Sequence, residues 1–250
     1  MTSSLSTPGV RAIVLDIEGT TTPIAFVHDV LFSYARSRVR DYLAAHFGSD
    51  ELRGDLATLR EEHSADVKQN LKPPTLADGP ADAEIDSLVG YINWLIDRDR
   101  KSRSLKSLQG KIWKQGYLEG TLKAPLFPDV APALEQWRRA GLKISIFSSG
   151  SSLAQKLLFA HTEVGDLTAT INNYFDTTVG SKTDVESYQR ISSDLDLPAS
   201  EILFISDVVA ELEAASKAGM QTRLCIRPGN PPQSSSELYQ TIHSFKEISV

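Results

Sequence analysis

Short apolar runs alternate with amphipathic segments over the second half of the chain, and this alternation most limits the fold. Three runs have the length of buried strands: LKISIF, EILFI and MQTRLCI. Helix-forming segments lie around them: SSLAQKLLFAH, DVESYQRISSDL and VVAELEAASKAG. Strands and helices that alternate at this length predict a parallel sheet with helices on both faces. The predicted fold class is therefore α/β, with a Rossmann-like doubly wound sheet.

One strand-like run stands apart from the others, at residues 11–17. Between it and the alternating half, residues 24–120 show only helical periodicity, as in the stripe Ile85, Leu88 and Ile92. A single strand cannot bury both of its faces alone, so the first strand belongs to the C-terminal sheet. The predicted organisation is a core of residues 1–22 and 123–250, interrupted by an inserted all-helical cap of residues 23–122.

Composition excludes several classes of protein. Hydrophobic residues make up 41% of the 250-residue chain, and the net charge of −6 argues against a nucleic-acid binder. No window has the 18 consecutive apolar residues typical of a membrane span. The opening MTSSLSTPG lacks the apolar stretch of a secretory signal and is predicted to be a short disordered lead. The one cysteine, Cys225, rules out an internal disulfide and favours a reducing, intracellular location.

Polar residues follow the predicted strands at the points where the strands end. In an open parallel sheet, ligands bind outside the carboxyl ends of the strands. Two carboxylates at the end of a buried strand repel each other and are poorly solvated, so a turn alone does not explain them. Six candidate site residues are predicted to lie at this edge: Asp16, Glu18, Ser148, Ser149, Lys182 and Asp207.

These residue types indicate phosphoryl transfer through an acyl-phosphate on Asp16. A carboxylate that attacks a phosphate dianion needs cations nearby, because the two anions repel. Mg²⁺ prefers oxygen ligands, and Asp16, Asp207 and a backbone carbonyl near residue 18 are candidates. Lys182 adds a fixed positive charge. Ser148 and Ser149 offer phosphate oxygens their hydroxyl and N–H groups.

Glu18 is the candidate acid and base of this reaction. It would protonate the leaving oxygen and then activate water for hydrolysis of the acyl-phosphate.

The same residues resemble four motifs of the haloacid dehalogenase superfamily: DIEGT, IFSS, Lys182 and ISDVVAE. The longer block LDIEGTTTPIAFVHDVLF, together with LFPDV, YFDTTVGSKTDVESY and RPGN, is similar to the enolase-phosphatase (E1) family of methionine salvage. Glu18 stands where most relatives in the wider superfamily have Asp.

The resemblance implies an Mg²⁺-dependent enzyme, with one Mg²⁺ per subunit. It implies that 2,3-diketo-5-methylthiopentyl-1-phosphate is enolised and then dephosphorylated to an acireductone. It also implies a cytoplasmic monomer, found in the nucleus as well in eukaryotes. The implied site has Asp16 and Glu18 as catalytic residues, Asp16, Glu18 and Asp207 at the metal, and Ser148, Ser149 and Lys182 at the substrate.

Alternative interpretations accompany several of these residues. Asp207 would also serve as a helix cap, and Ser148 or Ser149 as a turn or N-cap residue. Glu211 is expected to hold Lys182 or a metal-bound water, or else to be a solvated helix residue. Arg227, between a strand and a Pro-Gly pair, receives no role.

Alternative functions are also open at this stage. The first is a related phosphatase that acts on another small phosphomonoester, and the second is a non-enzymatic phospho-acceptor. Glu18 argues against the acceptor, since a base beside the nucleophile hastens loss of the phosphoryl group. The base that enolises the substrate is either Glu18 or a side chain of the helical cap.

Overall fold

A six-stranded parallel sheet lies at the centre of the α/β part of the chain. The computed structural model describes residues 5–98, 100, 102–234 and 236–249. The sheet order is β4-β3-β2-β5-β6-β7, with all pairs parallel. A separate pair joins β1 to β8. The strands are β1 (Leu5–Ser6), β2 (Ala12–Leu15), β3 (Lys143–Phe147), β4 (Asn173–Phe175), β5 (Ile202–Ser206), β6 (Gln221–Cys225), β7 (Thr241–Ile242) and β8 (Ile248–Ser249).

Eight α-helices occur in the described part of the chain. None of the described helices has the length and apolar character that crossing a membrane requires. A six-residue π-helix, Phe26–Leu31, leads into the first of them. The helices are α1 (Phe32–His46), α2 (Asp50–Lys68), α3 (Ala81–Ile96), α4 (Arg103–Leu118), α5 (Val130–Arg139), α6 (Ser152–Ala160), α7 (Val185–Leu195) and α8 (Val209–Lys217).

The predicted α/β class is confirmed, and so is the prediction that the first strand belongs to the C-terminal sheet. All four residues of β2 are fully buried, between β3 on one side and β5 on the other. A strand buried on both faces reads as a continuous apolar run, which is what the segment AIVL shows.

The chain divides into two compact units. One contains the described residues up to Val27 and from Leu122 onward, and the other is His28–Thr121. Within the first unit, the segments on either side of the insertion are held together. The Thr22 hydroxyl donates to the Pro125 carbonyl, and the Phe127 amide donates to the Thr21 carbonyl at 3.1 Å. That the helical unit acts as a cap stays a prediction.

The helical unit has a buried polar contact of its own. Asp66 is 1% exposed and accepts hydrogen bonds from the Tyr91 hydroxyl and the Arg100 guanidinium, both at 2.7 Å. Apolar residues of all four helices form the rest of its interior, and those of α1, α3 and α4 follow the predicted helical stripes. A charge in such an interior is tolerated because both of its oxygens have donors.

The α5 helix ends just before a glycine, Gly141. This glycine has φ +82°, a conformation that is energetically unfavourable for any residue that carries a side chain. Its amide donates to Arg138 O, and the Leu142 amide donates to Trp137 O. Together the two bonds form a Schellman motif, which ends the helix and turns the chain into β3.

The shortest strands were not predicted. β4 has three residues and β7 has two, too few to show a period of two. The prediction of a disordered N-terminal lead is wrong at Leu5 and Ser6, which form β1 beside β8. The Thr7 hydroxyl extends this pairing by donating to Ser249 O at 2.9 Å. Residues 1–4 of the predicted lead lie outside the described residues.

A buried ion pair joins the segment after β6 to the start of α5. The guanidinium of Arg227 contacts both carboxylate oxygens of Asp129 at 2.9 Å, and the Phe245 amide also donates to Asp129 at 2.6 Å. Burial acts to raise the pKa of Asp129, but the bonds from Arg227 and Phe245 outweigh it and hold the pKa below 3.8. Because both charges are buried, removing one leaves the other without compensation.

We expect Arg227→Met to lower the free energy of unfolding by about 3–5 kcal/mol at neutral pH, the usual cost of an uncompensated buried charge. Denaturant unfolding followed by circular dichroism measures this. Arg11→Met, which removes an exposed pair with Glu201, is the control and should have little effect.

The difference between wild type and Arg227→Met should shrink in acid. Since the folded pKa of Asp129 is depressed, the stability that it contributes is present above the unfolded value near 4 and is lost as the pH falls through the folded value. In the variant, protonation of Asp129 removes the unpaired charge. A difference that grows toward acid would contradict this account.

Candidate active site

Asp16 is the first residue after β2, and the sheet holds its backbone in place. Leu15 pairs with Ile205 of β5, and the Asp16 amide donates to Ile205 O at 3.0 Å. Asp16 is 4% exposed, and one of its carboxylate oxygens, Oδ2, accepts from the Thr20 hydroxyl at 3.3 Å. Asp16 is therefore a buried carboxylate at the carboxyl edge of the sheet, as the sequence predicts.

The three threonines after Asp16 form a closed turn. Amides of Thr20, Thr21 and Thr22 donate to the carbonyl of Ile17 at 3.2, 2.9 and 3.0 Å. The Gly19 amide donates to Thr22 O at 2.8 Å, and all three threonine side chains are fully buried. These bonds occupy the Ile17 carbonyl and leave the carbonyls of Gly19 and Thr20 to partners elsewhere in the chain.

Gly19 brings this turn against Asp207. Its φ is +73°, and a Cβ built on it would lie 2.8 Å from Asp207 Cγ and 3.0 Å from Asn230 Oδ1. Asp207 follows β5, is 5% exposed, and precedes α8 without capping it, because the N-cap is Val208. The capping interpretation of Asp207 is therefore wrong, and the structure brings Asp207 beside the Asp16 turn.

Lys182 lies in the loop before α7 and contacts two carboxylates of the site. Its ammonium group is ion-paired with Asp16 Oδ1 and contacts Glu211 Oε2 at 2.7 Å. Glu211 is 9% exposed and also accepts from the Ser206 hydroxyl at 2.8 Å. Of the open interpretations of Glu211, the one in which it holds Lys182 is confirmed, and the solvated one is wrong.

The site contains more buried negative charge than Lys182 balances. Burial, followed by the charges of Asp16 and Glu211, raises the pKa of Asp207 to about 7. Burial also raises the pKa of Glu211 to about 7, because its contacts with Lys182 offset only part of the effect. Burial alone would lower the pKa of Lys182, but Asp16 and Glu211 raise it above its ordinary value. Excess carboxylate charge of this kind favours an additional cation.

The donor set fits a hard divalent cation that keeps part of its solvent shell. Asp16 and Asp207 supply two carboxylates, and buried Asn230 Oδ1, beside Gly19, has no hydrogen-bond partner among the described residues. Those residues include no group of three or more His, Cys, Asp or Glu side chains placed to hold a metal ion. Mg²⁺ commonly takes one or two carboxylates and fills its other positions with water and phosphate oxygens.

Ser148 leaves the sheet on the same edge as Asp16. Ile146 of β3 pairs with Leu15, so the two strands end side by side. Ser148 is 4% exposed, and its hydroxyl oxygen accepts from the Gly150 amide at 3.1 Å. The N-cap of α6 is Ser151, so the N-cap interpretation of Ser148 and Ser149 is wrong, whereas the turn interpretation of Ser148 is confirmed.

Glu18 and Ser149 lie next to these residues in sequence and are half-buried. Glu18 forms an isolated β-bridge with Thr22 across the turn. Their roles toward a metal, a phosphate or a proton stay predictions.

Comparison with known proteins agrees with this geometry. The family described as "Hydrolase: haloacid dehalogenase-like hydrolase" matches residues 10–219. The "Enolase-phosphatase E1" of Synechococcus elongatus is 50% identical over 239 residues, which are 96% of this chain and 98% of that protein. The crystal structure of the UTR4 protein of Saccharomyces cerevisiae aligns with a TM-score of 0.77 at 33% identity, covering 95% of this chain and 99% of that one.

The chain belongs to the enolase-phosphatase E1 family of haloacid dehalogenase-like hydrolases.

A longer relative shares the same region. The "Probable bifunctional methylthioribulose-1-phosphate dehydratase/enolase-phosphatase E1 1" of Vitis vinifera is 44% identical over 248 residues, which are 96% of this chain and 47% of that protein. The family resemblance drawn from the sequence motifs is thus confirmed over nearly the whole chain.

Sequence reasoning missed several residues that hold the site of this E1 family member together. Thr20 and Ser206 bond to Asp16 and Glu211, while Arg227 and Asn230 reach the turn after β2. For Arg227 and Asn230, the only sequence signal was that the block RPGN follows a predicted strand. In the turn both residues bond to backbone carbonyls, which no sequence pattern reveals.

Gly19→Ala should destabilise the protein more than its backbone angle explains. Any residue with a side chain at φ +73° costs about 1–2 kcal/mol, and the crowding against Asp207 should add about 1–3 kcal/mol. Gly9→Ala is the matched control, because Gly9 has φ +75° and nothing within 4 Å of its Cβ position. Denaturant unfolding measures both variants, and equal losses would contradict the close approach of Gly19 to Asp207.

Proposed function

We propose that this chain is an Mg²⁺-dependent enolase-phosphatase of methionine salvage. Its proposed reaction converts 2,3-diketo-5-methylthiopentyl-1-phosphate to 1,2-dihydroxy-3-keto-5-methylthiopentene and phosphate. The observation that carries the proposal is the buried ion pair of Asp16 with Lys182 at the carboxyl edge of the sheet, in a chain 50% identical to an enolase-phosphatase E1.

The longer plant relative supports the choice of substrate. Its name couples an enolase-phosphatase to a methylthioribulose-1-phosphate dehydratase. Loss of water from the two adjacent carbinols beside the ketone of such a sugar phosphate gives a 2,3-diketone that still carries the 1-phosphate. A phosphatase that first enolises this diketone would consume the dehydration product directly.

In the proposed phosphoryl transfer, a carboxylate oxygen of Asp16 attacks phosphorus. A new Asp16 O–P bond forms, and the bond between phosphorus and the ester oxygen of the substrate breaks. Lys182 stays close to Asp16 in the structure and would offset the negative charge that gathers there. Burial of Asp16 and Lys182 strengthens this interaction, since little water competes for either group.

Glu18 is proposed to move the protons of both half-reactions. As a carboxylic acid it would give its proton to the leaving enol oxygen, and as a carboxylate it would take a proton from the attacking water. The second attack breaks the Asp16 O–P bond, releases inorganic phosphate and restores both side chains. General acid–base catalysis of this kind contributes about 10²–10⁴-fold to a rate.

Asp16, Asp207 and the backbone carbonyl or side chain of Glu18 are the proposed Mg²⁺ ligands. When bound, the ion would neutralise the excess carboxylate charge and draw the phosphate toward Asp16. Ser148 and Ser149 are the proposed partners of the phosphate oxygens, since they directly follow β3, the strand paired with β2. For the enolisation step, the proton acceptor is Glu18 or a side chain of the helical unit.

Phosphate release from the diketo phosphate should depend on Mg²⁺ and on Asp16. We expect EDTA to reduce release to background, excess Mg²⁺ to restore it, and Asp16→Asn to abolish it with an unchanged circular dichroism spectrum. Phosphate assay together with ultraviolet absorbance of the enol measures both steps. If phosphate were released from other phosphomonoesters but not from the diketo phosphate, the phosphatase activity would stand and the proposed substrate would be wrong.

Glu18→Gln should lower phosphate release by at least about 100-fold, because the variant can neither give nor take the proton. Glu18→Asp, which keeps the carboxylate, is the control and should retain more activity. Enol absorbance that survives in Glu18→Gln would place the enolisation base elsewhere, and its loss would assign that step to Glu18. Undiminished phosphate release would contradict the acid–base role.

A further inference from the structure

The segment Arg227–Asn230, called here the RPGN segment, has no part in the proton and phosphoryl transfers described above, and only Asn230 Oδ1 lies among the possible cation donors. It follows β6, which is separated from β2 by β5 in the sheet. Two of its side chains nevertheless reach across to the turn after β2. These contacts end on the backbone of the residues that follow Asp16.

Asn230 holds the carbonyl of Gly19. Its Nδ2 donates to Gly19 O at 2.9 Å and, more weakly, to Cys225 O at 3.4 Å. Because both neighbours are carbonyl acceptors, the amide nitrogen must face them, which fixes the orientation of the side chain. Asn230 therefore ties the Asp16 turn to the end of β6.

Arg227 holds the next carbonyl, that of Thr20. Its Nε donates to Thr20 O at 3.2 Å, while the rest of the guanidinium is occupied by Asp129 and His243 O. The rings of Phe127 and Phe245 lie 4.7 and 4.8 Å from the guanidinium carbon. With 4% exposure and partners on every side, this guanidinium is a rigid donor.

The turn needs these outside donors. Its own amides are used on Ile17 O and Thr22 O, so buried carbonyls at Gly19 and Thr20 would otherwise lack hydrogen bonds. Thr20 also carries the hydroxyl that donates to Asp16, and Gly19 sets the approach to Asp207. A displacement of either carbonyl therefore moves groups that contact the two carboxylates.

We propose that Asn230 and Arg227 are positioning residues that set the place of Asp16 relative to Asp207 by holding the carbonyls of Gly19 and Thr20. The catalytic part of this inference rests on the proposed function, in which Asp16 attacks phosphorus. Misplacement of a reacting group by about 1 Å costs on the order of 100-fold in rate.

Asn230→Ala should lower kcat for phosphate release by at least about tenfold and change KM by less than about twofold, because the proposed phosphate-binding serines directly follow β3, away from this turn in sequence. Amide hydrogen exchange of Thr20, Thr21 and Thr22 should quicken in the same variant. Asn172→Ala is the matched control, since Asn172 accepts one backbone hydrogen bond from Ile144 near the opposite end of the sheet. It should change neither kcat nor exchange in the turn.

Arg227→Lys provides a second variant that keeps a positive charge beside Asp129. A lysine lacks the planar fork and cannot hold Asp129 on two nitrogens while it also donates to Thr20 O. We expect the same fall in kcat and the same quickening of exchange, with a smaller loss of stability than Arg227→Met.

The measurements of kcat and of amide exchange together distinguish a positioning role from a structural role and from direct action on the reacting groups. Faster exchange in the turn with unchanged kcat would overturn the positioning role and leave a structural one. Lower kcat with unchanged exchange would overturn it as well, since Asn230 would then act on the reacting groups directly. If Asp16→Asn retains full activity, the proposed function fails, and the exchange measurement still tests the hold on the turn.

Discussion

Lys182 is the buried cation on which the arrangement of the site depends. Its ammonium group meets Asp16 from the end of β2 and Glu211 from α8, two elements that the sequence separates by almost the whole core. Bringing two carboxylates and an ammonium group out of water is costly, and close pairing together with the hydroxyl bonds from Thr20 and Ser206 offsets that cost. The two ion pairs of Lys182 therefore hold the loop before α7 against both the end of β2 and α8.

The parallel sheet makes this contact possible. Register pairs Leu15 with Ile146 on one side and with Ile205 on the other, so three strands end at one level. Strand pairing brings the residues that follow these ends, Asp16, Ser148 and Asp207, to the same edge of the sheet. Loops then need only a few residues to close the site, and one of them, the tight turn at Gly19, packs closely against Asp207.

Sequence alone predicts the parts of this molecule that repeat or that lie at strand ends. Helices of about four turns repeat apolar residues at helical spacing many times, and β2 is a continuous apolar run. Both elements could therefore be predicted from the sequence. β4 and β7 could not, because two or three residues carry no period. Asp16, Lys182 and Asp207 could be placed on one edge, but periodicity does not tell which way Glu211 points. Arg227 and Asn230 were out of reach, because Asn230 bonds to backbone carbonyls that any residue provides and no sequence pattern pairs Arg227 with Asp129.

The hydrogen bonds from Thr22 to Pro125 and from Phe127 to Thr21 have a consequence for how such a chain can vary. They hold the two points where the chain leaves and re-enters the α/β unit side by side. In the folded α/β unit, the insertion is a loop whose two ends are held side by side. The entropy cost of closing such a loop grows only with the logarithm of its length. Inserts of other lengths and folds could then be exchanged at this junction during evolution without a change in strand order.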